Sequence, residues 1–232
     1  CGISAKRIEK SLDELDTRAS ELSGILITHE HSDHIKGLGV MLRRYGLPVF
    51  ATAKTIDAVL DSRYIGKVDK DLFHPIEADH PFQLDDITVE ASHVWHDAAD
   101  PVCYSFYSEG FKASIATDLG DYDEYLVEKI RDSHILFVEA NHDVNMLQVG
   151  SYPYYLKRRI LGDHGHLSNE RCAQLIEDTV TEKTQKVYLG HLSKENNFAE
   201  LAYETVKVAL TEPDFLMEVA KRDCISSITK VS

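Results

Sequence analysis

The chain has 232 residues, 43% of them apolar and 28% charged, with 25 Lys+Arg against 39 Asp+Glu and a formal net charge of −14. That length can bury a full core without staples, and the acidity is the wrong sign for gripping nucleic acid through a broad basic face. No apolar run approaches the ~20 residues of a membrane span, no charged-then-apolar leader opens the chain, and the scattered Cys1, Cys103, Cys172 and Cys224 form no C-x-x-C pair, which argues against a thiolate zinc site and a disulfide framework and for mostly buried thiols in a cytoplasmic setting.

In chain order, short β-rich runs alternate with amphipathic stretches. The pattern predicts a strand over 24–28, a helix over 35–45, a strand over 48–51 and a helix over 54–63. Strands follow over 87–91, 102–107 and 111–117, then a helix over 122–131 and a strand over 135–138. Helices over 154–160, 169–180 and 198–210 flank a last strand over 186–189, with Ser168 as an N-cap and Glu170 in the first turn behind it. Such interleaving favours a layered α/β sandwich. No Pro/Ser-rich stretch, repeat or composition shift marks a boundary, so a single domain over 1–232 is expected.

Six of the twelve histidines fall just after predicted strands or in loops that lead into helices. Thr28-His29-Glu30-His31-Ser32-Asp33-His34 packs three imidazoles and two carboxylates into seven residues. Residues two apart in extended chain face the same way, so His29 and His31 can share one cation, while Asp33 and His34 lie where the chain turns and can face a second. Mixed imidazole and carboxylate ligands suit Zn, Mn or Fe without choosing among them. His96 in Trp95-His96-Asp97, Asp118 at the end of a strand, and His191 in Leu189-Gly190-His191-Leu192-Ser193 are the remaining ligand candidates. Spacing alone does not separate His96 from His93 three residues before it.

The H-x-H-x-D-H run, a lone His, a strand-terminal Asp and a late G-H, in that order, resemble the metallo-β-lactamase superfamily. More narrowly, 28–37, His96-Asp97-Ala98-Ala99-Asp100-Pro101, Glu139-Ala140-Asn141-His142-Asp143, Lys157-Arg158-Arg159-Ile160-Leu161, Gly165-His166-Leu167-Ser168-Asn169 and 191–197 resemble its YycJ/WalJ/VicX branch, related to tRNase Z, from Cys1 to about residue 210. The resemblance implies a four-layer αββα sandwich with two divalent metal ions. His29, His31 and His96 would hold one ion and Asp33, His34 and His191 the other, with Asp118 bridging; the family's His-Asp-Ala pattern is what selects His96. His93 is then read as supporting or structural, and His74, His80 and His134 as ordinary surface or core histidines. Cys1-Gly2-Ile3-Ser4 resembles the end of the family's D-x-G strand, so an N-terminally truncated domain lacking its opening strands, with an exposed sheet edge, is expected.

Two such cations can hold a bridging hydroxide as nucleophile and polarise an electrophile. His166 resembles the general acid of the tRNase Z segment, Glu139 the acidic partner that orients it, and Asp33 joins them in the catalytic set; His164 is a decoy beside His166, and His142 a supporting residue. By resemblance the substrate is a phosphodiester, DNA over RNA, cut by a 5′-to-3′ exonuclease. Lys157, Arg158, Arg159 and Lys194, helped by Arg43 and Arg44, are candidate phosphate contacts, or simply solvated helix faces. A small-molecule hydrolase of a β-lactam, thioester or lactone, and a metal-stabilised regulatory protein associated with a two-component system, are the rival readings.

Overall fold

The computed structural model describes residues 1–211 and 213–231, and they divide into two compact units. The first comprises Cys1–His93, Ala98–Val102 and Asp223–Ile225. Its elements are α1 (Ala5–Asp13), β1 (Ile25–Leu26), α2 (Ser32–Ile35), α3 (Leu38–Tyr45), β2 (Val49–Thr52), α4 (Ala53–Asp61), β3 (Phe73–Ile76), β4 (Phe82–Leu84) and β5 (Ile87–His93). β1, β2 and β3 form a parallel sheet in that order, with Ile25 opposite Val49 and Val49 opposite Phe73. β4 and β5 pair antiparallel with Phe82 opposite Val89.

The apolar faces of α1 to α4 and β1 to β3 close one core around Ile27, Ile35, Leu38, Met41, Val49 and Val59. Ile35, Leu38 and Met41, spaced three apart on the chain between α2 and α3, are fully buried, each worth about 1.5–3 kcal/mol of transfer free energy. The predicted helix over 35–45 is therefore two pieces, α2 and α3, and α3 ends on Gly46 in the left-handed conformation at φ 63°.

The second unit comprises Val94–Asp97, Cys103–Arg222 and 226–231. It contains most of β6 (Val102–Ser108), then β7 (Phe111–Ala116), α5 (Glu124–Ile130), β8 (Ile135–Glu139), α6 (Val144–Val149), α7 (Tyr154–Ile160), α8 (Asn169–Thr179), β9 (Lys186–Gly190), α9 (Ala199–Leu210) and β10 (Leu216–Val219). β6 and β7 make a hairpin whose two-residue turn, Glu109-Gly110, has φ of 51° and 84°, the left-handed pair that matches strand twist. β7, β8, β9 and β10 are all parallel neighbours, with Ile135 opposite Ala113 and Lys186, and Lys186 opposite Leu216.

Leu136, Val138, Val187 and Leu189 from the middle strands pack with Leu175 and Ile176 of α8 and Ala202 and Val206 of α9. Because four adjacent strands run the same way, their carboxyl ends open on one edge, where ligands of parallel sheets gather. Asp118 lies two residues past β7, Glu139 is the last residue of β8, and His191 follows β9 directly. Of the cysteines, Cys103 and Cys172 are buried, Cys1 partly so and Cys224 exposed, so half rather than most are interior. Among the described residues no helix is long and apolar enough to cross a membrane.

Candidate metal centre and proton donor

In the first unit, the Ile27 amide bonds to Phe50 O at 3.0 Å, and β1 delivers Thr28 and His29 from a pinned strand. His31 takes the N-cap position of α2, and Asp33 and His34 occupy its single turn. His29 is 1% exposed. Its ring centroid stands 4.7 Å from that of His31 and 4.0 Å from that of His34. Thr28 Oγ1 lies 3.0 Å from His29 Nδ1 and 3.3 Å from His34 Nδ1, holding both rings by the same nitrogen type. Glu30 is turned to a structural use, since its carboxylate accepts the Ala99 amide at 2.9 Å and ties down the 98–102 loop. His93 is half-exposed and lies 3.5 Å from Asp100 Oδ1.

The second unit assembles its chemistry on the strand ends. Glu139 is fully buried, and one of its oxygens, Oε1, accepts both His166 Nδ1–H at 2.7 Å and His191 Nδ1–H at 2.9 Å. Its other oxygen accepts the Leu119 amide at 2.8 Å. Both imidazoles thus carry their fixed proton on Nδ1 and present Nε2 to the site. Burial pushes the Glu139 carboxyl up, but His166 and His191 outweigh it and hold it below the ordinary value. Burial alone would pull His166 down; Glu139 reverses this and raises it.

Asp118 Oδ1 is 3.7 Å from His96 Nε2 and 3.6 Å from His191 Nε2. Those separations are beyond hydrogen bonding but near the ~3.4 Å between two ligand atoms that each lie about 2.1 Å from one tetrahedral ion. The donor set therefore fits a divalent cation. His96, 4% exposed, is aimed by its Nδ1 on Gly165 O at 3.0 Å. Only glycine fits at 165, because a Cβ there would lie 2.2 Å from Ile160 O. Asp118 and His191 both adopt left-handed backbone, at φ 61° and 54°, costing on the order of 1–3 kcal/mol each.

Two features of this unit escape sequence reasoning. The motifs assign Glu139 to His166 alone, yet it also holds His191. An asparagine network also lies beneath the site: Asn141 Nδ2 donates to His191 O at 2.9 Å, and Asn197 Nδ2 donates to Ala140 O at 2.9 Å and Asn169 Oδ1 at 2.8 Å. These residues stand inside the motifs noted above, and amides so close to candidate ligands are the available signal. His142 is 1% exposed, neither ring nitrogen has a hydrogen-bond partner among the described residues, and burial pulls it down to about 4.

The cationic residues are mostly committed within the fold. Lys157 donates to Gln148 O and Gly150 O, both at 2.7 Å. Arg159 pairs with Asp97 at 2.9 Å, Arg43 donates to Ile65 O at 2.9 Å, and Arg44 pairs with Glu9. Arg158 and Lys194 are exposed. His74 stacks on Phe50, His80 is exposed beside Glu77, and His134 Nδ1 accepts the Lys112 amide at 3.1 Å.

Residues 5–192 match the family model of the β-lactamase superfamily domain. The chain is 43% identical over 213 residues to the exodeoxyribonuclease WalJ of Streptococcus pneumoniae serotype 2, covering 92% of this chain and 79% of that protein. It is 41% identical over 214 residues to the exodeoxyribonuclease YycJ of Bacillus anthracis, covering 92% and 80%. In backbone, it superposes on human tRNase Z, short form, with a TM-score of 0.62 at 17% identity, covering 94% of this chain and 84% of that one. That last likeness is one of fold.

Proposed function

The chain belongs to the metallo-β-lactamase superfamily and to its WalJ/YycJ exodeoxyribonuclease group, and from that premise we propose that it is a metal-dependent exodeoxyribonuclease in which His166 is the proton donor. The observation that carries the reading is the shared oxygen of Glu139, which fixes a candidate ligand, His191, and a candidate acid, His166, on one buried anchor. The relatives' names favour DNA over RNA as the substrate, and the motif resemblance implies 5′-to-3′ polarity. The family model spans most of both units, which supports one metallo-hydrolase domain.

The proposed ligands are His29, His31 and His96 for one ion and Asp33, His34 and His191 for the other, with Asp118 common to both. Zn or Mn suits this set. Divalent cations so held supply electrophilic activation of a phosphodiester and an activated water. The protein's own part is the proton. With Nδ1–H fixed on Glu139, the mobile proton of His166 sits on Nε2, and the Glu139 carboxylate raises the pKa and so favours the protonated form that serves the leaving oxygen. Scattered cysteines with no paired spacing support a reducing, cytoplasmic setting.

Labelled single- and double-stranded DNA and RNA, with 5′-phosphate or 5′-hydroxyl ends, incubated with Zn- or Mn-loaded protein test the reading directly. DNA shortened from its 5′ end is expected, and His166→Ala should keep its metal content while losing about 10²- to 10⁴-fold in rate. Uncut nucleic acid from protein with full metal content overturns it.

A further inference from the structure

Within the second unit, residues 144–162 contain no acid and carry Lys157, Arg158 and Arg159, in a chain with 39 acidic residues among 232. The helix at the end of that stretch, α7, turns its aromatic residues outward: Tyr154 is 76% and Tyr155 75% exposed. Neither ring belongs to the core of this unit. Arg158 lies three and four positions on, over the same helix surface.

This face is tied to the site by two separate links. The Arg159 guanidinium holds Asp97 at 2.9 Å, two residues after the exposed Trp95, whose ring lies nearly parallel to that of His164, 17° between planes. The last turn of α7 also receives the His166 amide on Ile160 O at 3.0 Å. Open rings thus stand at both places, Tyr154 and Tyr155 on α7 and Trp95 with His164 on the loops that α7 holds, and the chain from α7 runs directly into the proposed proton donor.

Proteins that hold single strands combine cations with aromatic faces on which bases stack, because every base has a π-face. In a paired duplex those faces are covered. We infer that α7 and the Trp95–His164 step form a track that binds single-stranded DNA by stacking and feeds its end to His166. Lys157 contributes through its charge, since carbonyl partners do not neutralise it, whereas Arg159 is offset by Asp97 and serves as the tie.

This inference rests on the exodeoxyribonuclease reading but is tested apart from it. A fluorescent, phosphorothioate-linked oligo-dT, which resists cutting, and the matching duplex are titrated against the full chain by anisotropy. Replacing Tyr154 and Tyr155 together with Ala should weaken single-strand binding by at least about 10-fold with little change for duplex, and the double Phe variant should restore it. Melting curves verify that all three proteins are folded. Unchanged single-strand affinity in the Ala variant, or equal loss on duplex, overturns the track. Wild-type protein that binds through these rings but leaves ordinary DNA uncut overturns the nuclease reading and leaves the track standing.

Discussion

Glu139→Gln probes the centre of the site with the smallest possible change of shape. The wild-type carboxylate accepts two imidazole N–H groups on one oxygen, at 2.7 and 2.9 Å, and a backbone amide on the other. An amide keeps one acceptor oxygen for the imidazoles but loses the charge, and its NH2 group then faces the Leu119 N–H, which loses its acceptor. A hydrogen bond to an ionised group is worth about 1.5–3 kcal/mol and a neutral one about 1, so each imidazole loses roughly 0.5–2 kcal/mol of support. On the His191 side this predicts roughly tenfold weaker cation binding. On the His166 side it predicts a slower reaction by a similar factor and a displaced pH profile. The donor must be protonated, so the rate falls as pH rises through its pKa; Glu139 is what raises that pKa against burial, and its neutral replacement moves the alkaline limb to lower pH. Metal titration and the pH dependence of kcat measure the two sides separately. An alkaline limb that stays in place refutes the coupling.

Other consequences can be measured independently. Between about 4, where burial places His142, and the ordinary 6.5, the unfolded chain binds the extra proton, so stability is lost as pH falls; near pH 5 the loss is about 2 kcal/mol, and urea unfolding of His142→Leu at neutral and acid pH should show that part of the slope gone. Asp118→Ala should lose metal as well as activity, and retention of two ions by elemental analysis removes its bridging role. Lys157→Met should cost about 1–2 kcal/mol in urea unfolding, because the ammonium satisfies two carbonyls behind α6; an unchanged midpoint refutes a structural role.

Much of the fold is written in local pattern. The β-branched and aromatic runs that become β2, β5, β6, β7, β8 and β9 are dense enough to announce themselves, and α7 matches its predicted bounds to the residue. The misses have physical causes. α1 buries only Ala5 fully, too thin a stripe to stand out. β3 contains Pro75 and lies at one end of its three-strand order, where a missing N–H is tolerated. β4 has three residues and takes its partner from β5. For the site, the residue types were legible in the motifs, but the sharing of Glu139 was not. It depends on β8 and β9 running side by side with Glu139 opposite Gly190, which brings Glu139 to His191, 52 residues on in sequence.

The left-handed backbone at Asp118 and His191 limits how this site can change over time. At such positions most side chains collide with their own peptide, while Gly, Asn and Asp are accommodated. Substitutions there are screened for backbone tolerance before any chemistry is tried, so the accessible neighbours of Asp118 are chiefly Asn and Gly. Drift at these two positions should therefore yield quiet, well-folded pseudo-enzymes more readily than enzymes with a new metal preference.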